Sequence, residues 1–188
     1  MAPPEFRAML AEIRVAVWRP ELSIQEIPSP QRIAPHSVAV DAELLGDDEV
    51  VGTGRLVLLH DPAGNDAWGG TFRCVSFAKA EVEPEMVRDP LLADVGWSWL
   101  VEALDLHEAP YREPSGTISA VISTPFGGLA DDRERAELEI RASWTPILTG
   151  GRGISTHLAA WQDLLSMTAG LPVTPPGVVP LQARRLRR

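Results

Sequence analysis

Cysteine is nearly missing from this chain. Cys74 stands alone, so no disulfide can form within it, which suits a reducing compartment. Lysine is as scarce: Lys79 is the only one, and arginine carries almost all the positive charge. Seventeen Lys and Arg face 26 Asp and Glu, for a formal net charge of −9. An acidic body repels nucleic-acid phosphate unless its cations are concentrated in one place. No apolar run approaches the ~18–20 residues of a membrane span. The first twenty residues, which include Glu5 and Glu12, have neither the basic head nor the apolar middle of a secretory signal. A cytoplasmic protein with no membrane span is expected.

Catalytic and metal motifs are also lacking. His36, His60, His107 and His157 are scattered, and no HExxH occurs, so no metal is expected. There is no GxSxG, and "VGTG" at Gly52 and Gly54 lacks the third glycine and following helix of a dinucleotide fingerprint. No cofactor is expected.

What is present is periodicity. Apolar residues make up 45% of the 188 residues, enough for a sizeable core. Phe6, Met9, Leu10, Ile13 and Val17 recur at helical spacing, and Pro20 stops that helix. "IPSPQRIAP" reads as an extended surface loop. "SVAVDAEL", "VVGTGRLVLLH" and "TFRCVSFAKAEVE" alternate as strands. "RDPLLADVGWSWLVEALDLH" is the clearest helix, with Asp89 placed to cap it and Pro90 at its first position. It carries two apolar stripes, one through Leu92, Val95, Trp99, Ala103 and Leu106, the other through Trp97, Leu100, Val101 and Leu104. A helix so apolar is buried on two sides: by its own sheet, and by a second helix or another chain. "GTISAVISTPFGGL" and "RAELEIRASWTPI" read as two more strands, and a last helix runs from Ile154 to Gly170. The order α-β-β-β-α-β-β-α gives an α+β two-layer sandwich: a mainly antiparallel sheet of about five strands with helices on one face. Residues 1–172 form one domain in this reading. Residues 173–188 form an irregular Pro-rich tail ending in an Arg cluster.

Four places could carry function. "HDPAGNDAWGG" gathers His60, Asp61, Asn65, Asp66 and Trp68, but "DP" and "AGN" are turn chemistry, and adjacent strand residues point to opposite faces. It is expected to be the bend between two strands. Gly151, Arg152 and Gly153 precede a helix whose free N–H groups attract anions, although the Lys-Ser/Thr end of a phosphate loop is missing. Arg184, Arg185, Arg187 and Arg188 could grip nucleic acid or an acidic partner; a solvated tail is the simpler reading. Cys74 shares a strand face with Phe72, Ala78 and Val82 and reads as a core thiol.

The stretches "GTGRLVLLHDPAGNDAWGGTFR", "EPEMVRDPLLADVGWSWLVEAL", "GTISAVISTPFGGLA", "AELEIRASWTP" and "HLAAWQDLLSMTAGLP" resemble the actinobacterial family known as domain of unknown function 3000, from about Arg19 to Pro172. The resemblance implies a cytosolic bacterial protein. It brings no activity, cofactor or catalytic residue with it. The residues themselves point first to a non-enzymatic protein-interaction module with a protein partner or a second copy of itself. Its surface would include Trp68, Trp97, Leu100, Val101 and Leu104. A small-molecule enzyme built on His60, Asp61 and Asp66, and nucleic-acid binding through the tail, are the alternatives.

Overall fold

The computed structural model describes residues 2–30, 32–47 and 49–173. In chain order these form α1 (Pro4–Arg14), β1 (Leu22–Ile27), β2 (His36–Leu45), β3 (Val50–Asn65), β4 (Gly70–Val82), α2 (Pro84–Arg88), α3 (Leu92–Leu106), β5 (Tyr111–Ser123), β6 (Arg135–Pro146) and α4 (Ile154–Thr168). The class is α+β, and every strand pairing is antiparallel. The sheet has six strands in the order β1-β2-β3-β4-β6-β5, not the five expected. The addition is β1. Its six residues lie between Pro20 and Pro28, too few to show a clear alternation, and pairing with β2 from Leu22↔Leu44 to Ile27↔Ala39 organises them. A short helix, α2, is a second addition. Helix α3 starts at Leu92, later than Pro90. Asp89 Oδ1 accepts the Leu91 N–H at 2.9 Å and so closes a turn ahead of the helix instead of capping it.

The last strand is inserted into the sheet. β6 pairs with β4 on one side and β5 on the other, which leaves β5 at the edge. The reason is burial. Ala136, Leu138, Ile140 and Trp144 have essentially no exposed surface, so β6 needs neighbours on both sides, whereas β5 is exposed along most of its length.

One core takes the inward residues of the sheet together with α1, α3 and α4. Helix α4, not α3, is its centre. Eleven of its residues are buried, among them the polar His157, Gln162, Asp163, Ser166 and Thr168. The second apolar side of α3 is covered by α4, and Leu100 and Leu104 are fully buried. On the opposite face of the sheet, Ala39, Val57 and Leu59 form a small second cluster beneath Ile27, Ala34 and Trp68. No described helix is long and apolar enough to cross a membrane.

At the join of β6 and α4, Trp144 Nε1 donates to His157 Nδ1 at 3.1 Å, with both side chains buried. Burial pushes the His157 pKa from 6.5 down to about 4, against a smaller opposing pull from the Pro110 carbonyl. Burial lowers that of His60 as well. The folded protein therefore keeps these rings neutral where the unfolded chain takes up protons. The histidine contribution costs nothing well above pH 6.5 and lowers stability progressively as pH falls from there toward about 4. For His157 alone the loss reaches roughly 3 kcal/mol. Urea unfolding followed across this window is expected to show the decline, and His157→Gln, whose carbonyl can still accept from Trp144, is expected to flatten it.

Candidate functional site

The 60–70 segment is a hairpin. His60 pairs with Phe72, Asn65 pairs with Gly70, and the register shifts between them. Asp61 accepts the Ala63 N–H at 3.0 Å and Asn65 accepts the Ala67 N–H at 2.9 Å, each stabilising the bend locally. His60 points the other way, into the core. It stacks on Phe72 at 4.1 Å and faces Phe6 at 5.9 Å, and its Nδ1 lies 3.0 Å from the Thr71 carbonyl. With that nitrogen as donor, Nε2 is a buried acceptor without a partner. The polar residues of the loop thus diverge: Asp61 and Asn65 serve the turn while the imidazole is sealed away. Trp68 is half-buried over the small second cluster.

The N-terminus of α4 already has its anion. The Glu12 carboxylate of α1 accepts the Gly153 N–H at 3.1 Å and the Ser155 N–H at 3.4 Å. A side chain of the protein itself therefore fills the position that Gly151, Arg152 and Gly153 suggested for a ligand. Gly151 is required there for another reason. It adopts φ +77°, and a Cβ would collide with the Glu5 carbonyl of α1. Cys74 is fully buried, and burial raises its thiol pKa far above the reactive range. Arg184, Arg185, Arg187 and Arg188 lie outside the described residues. Among the described residues, no three His, Cys, Asp or Glu side chains gather to hold a metal ion.

Sequence reasoning missed the most connected polar cluster. Asp163, in the middle of α4, is 1% exposed. One of its oxygens takes the Arg19 guanidinium, and the other lies 2.8 Å from His107 Nε2, just past the end of α3. Arg19 also donates to Ser166 Oγ at 3.2 Å, and its backbone N–H donates to Gln162 Oε1 at 2.8 Å. Gln162 in turn donates to the Val17 carbonyl at 3.2 Å. A recess of about 320 Å³ lined by Val17, Trp18, Pro20 and Ala159 opens beside it. A histidine and an acid do meet here. Yet both carboxylate oxygens are engaged with Arg19 and His107, and the one neighbouring hydroxyl, Ser166, bonds to Arg19 and the Gln162 carbonyl. The cluster fastens three elements together.

A buried arginine positions the sheet edge. Arg73 of β4 donates to the Glu113 carbonyl at 2.8 Å, Thr145 Oγ1 at 3.0 Å, Ser115 Oγ at 3.1 Å and Ser143 Oγ at 2.7 Å. Burial lowers its pKa, and all these acceptors are neutral. The bonds reach across β6 and hold the irregular step of β5 between Arg112 and Ser115, where Glu113 takes φ +51°. Beyond that step, Ser115–Ser123 contains no charged residue and offers one unpaired row of backbone groups. Helix α3 packs beside it. Gly96 lies against Ile118, and Trp97 crowds the space above Gly116. Large apolar side chains are exposed nearby in sequence and on or just before α3: Val121, Phe126 and Leu129, with Leu91, Val95 and Leu106. The other edge differs. β1 is only six residues long and carries Glu26, with Glu21 just before it.

The family model for proteins of unknown function DUF3000 matches residues 2–179. The chain belongs to the DUF3000 family. No curated protein and no solved structure matches it.

Of the surface that the sequence proposes for this DUF3000 protein, Leu100 and Leu104 are core residues and drop out. Trp97 and Val101 remain half-exposed, Trp97 beside β5. The signal for β5 was in the sequence: nine uncharged, mostly small or β-branched residues with no internal break. What made it informative was its place at an edge. Two outcomes test the buried arginine contacts. Asp163→Ala leaves Arg19 without its carboxylate and is expected to cost about 3–5 kcal/mol in urea unfolding; a loss below ~1 kcal/mol would show that the cluster holds nothing. Arg73→Leu is expected to raise amide hydrogen exchange in Ser115–Ser119 roughly tenfold or more, leaving β3 unchanged.

Proposed function

We propose that this DUF3000 protein is a non-enzymatic protein-interaction module of the bacterial cytoplasm, and that its contact surface is the free edge of β5 with the flank of α3. The observation that carries this reading is the unguarded edge. Proteins normally protect a long edge strand with charge, proline or brevity, because its unpaired N–H and C=O groups recruit other strands. β1 has brevity and Glu26. β5 has its charge, its proline and its irregular step within Tyr111–Pro114, and leaves the nine residues Ser115–Ser123 with none of these. Strand addition to such an edge draws affinity from main-chain hydrogen bonds and specificity from alternate side chains. Half-exposed Trp97 beside Gly116 adds an aromatic of the kind enriched at contact centres. The enzyme alternative at the 60–70 loop finds no such support, since His60 is enclosed between Phe6 and Phe72.

The test is site-specific photo-crosslinking in the producing cell. A photoreactive residue at Ser119 or Val121 is expected to yield defined protein adducts, and one at Gln25 on the opposite edge none. Adducts spread equally over both edges, or absent from β5, would remove the proposal.

A further inference from the structure

We propose that the occupant of the β5 edge is a second copy of the same chain. Two β5 strands would run antiparallel about a two-fold axis near Ser119 and join two six-stranded sheets into one. The inference rests on the reading of β5 as the contact surface and names its partner.

The argument is one of self-complementarity. A two-fold axis through an antiparallel strand pair sets residue i opposite residue j and j opposite i, so a single charge near the axis faces its own copy. The bodies already repel, each with a formal net charge of −9. A strand that pairs with itself in this protein must therefore add no charge of its own, and Ser115–Ser123 adds none, while Glu139 of β6 stands beside Ser119 in each copy. Proline limits the pairing at both ends. Pro114 and Pro125 have no N–H to give, and they bracket ten residues. An axis at Ser119 pairs Ser115 with Ser123, Gly116 with Ile122, Thr117 with Val121 and Ile118 with Ala120. Every pair keeps its two members on the same face of the joined sheet, as an antiparallel ladder requires. Small residues meet large ones, and β-branched residues meet each other. The match at Gly116 is specific. A Cβ there would meet the Arg141 carbonyl of β6 and then the Trp97 indole, so the bare backbone leaves Trp97 within reach of the Ile122 arriving from the second copy. Nine paired residues span about 30 Å. With α3 as an additional layer about 10 Å deep, the contact covers on the order of 600 Å² per copy, near the ~800 Å² per partner of a standard interface.

Charge exchange at the axis tests the pairing. Sedimentation of the wild-type chain is expected to give a dimer that tightens as salt screens the acidic bodies. Ser119→Lys and Ser119→Glu each place like charges face to face. Each alone is expected to sediment as a folded monomer, with the dimer dissociation constant raised at least roughly tenfold. An equal mixture of the two is expected to dimerise again, Lys opposite Glu. Gln25→Lys on the other edge is expected to leave the dimer intact. Unchanged circular dichroism of the Ser119 variants excludes unfolding as the cause. A wild-type monomer at high concentration, a dimer that survives Ser119→Glu, which adds its charge to that of the neighbouring Glu139, or a mixture that stays monomeric overturns self-pairing. If the wild type is monomeric while Ser119 crosslinks to a different protein, self-pairing falls and the contact-surface reading stands. If Ser119 crosslinks to nothing, both fall.

Discussion

The arrangement of this molecule depends on one buried carboxylate. Asp163 lies in the centre of α4 at 1% exposure, where an unpaired charge would cost several kcal/mol. It is tolerable only because Arg19 arrives from the α1–β1 connection and His107 from the end of α3. Those two contacts fix where the chain enters the sheet and where α3 stops. Gln162 and Ser166 extend the same network through both side chains and backbone.

Fixing α3 has a consequence at the sheet edge. The helix sits beside β5 with Gly96 against Ile118 and Trp97 over Gly116, so the inner side of this edge strand is settled. Arg73 does the same from the outer side. Its guanidinium binds the irregular start of β5 through Glu113 and Ser115. An edge held on both faces and open along its free side would lose little conformational entropy in the strand addition proposed for it.

Much of the architecture was legible as period. Val38, Val40 and Leu44, or Ala136 through Trp144 at every second position, state a half-buried strand without any fold. The hairpin character of 60–70 was legible from Asp-Pro and Gly-Asn. β1 was hidden because six residues between prolines are too short for alternation to register. The importance of α4 was hidden because Gln162, Asp163 and Ser166 mark a wet face in any helical reading, and only partners far away in the chain, such as Arg19 and His107, turn them into interior residues. The same blindness applied to Arg73, which shares its strand face with exposed neighbours yet meets four neutral oxygens contributed by β5 and β6. Glu12 is similar: it lies 141 residues from the Gly153 amide it accepts.

The sequence by itself determined the local facts, namely which segments coil, which extend, which face of each is oily, and that no metal or nucleophile motif is written in it. These follow from side-chain period and turn chemistry, which act over a few residues. Only the tertiary structure decided the order β1-β2-β3-β4-β6-β5, the burial of Asp163 and the exposure of β5. The reason is that strand order and charge burial depend on which distant surfaces meet. β6 has no exposed apolar face to spare and claims the interior place, and β5 is left with an open side that no local pattern could announce.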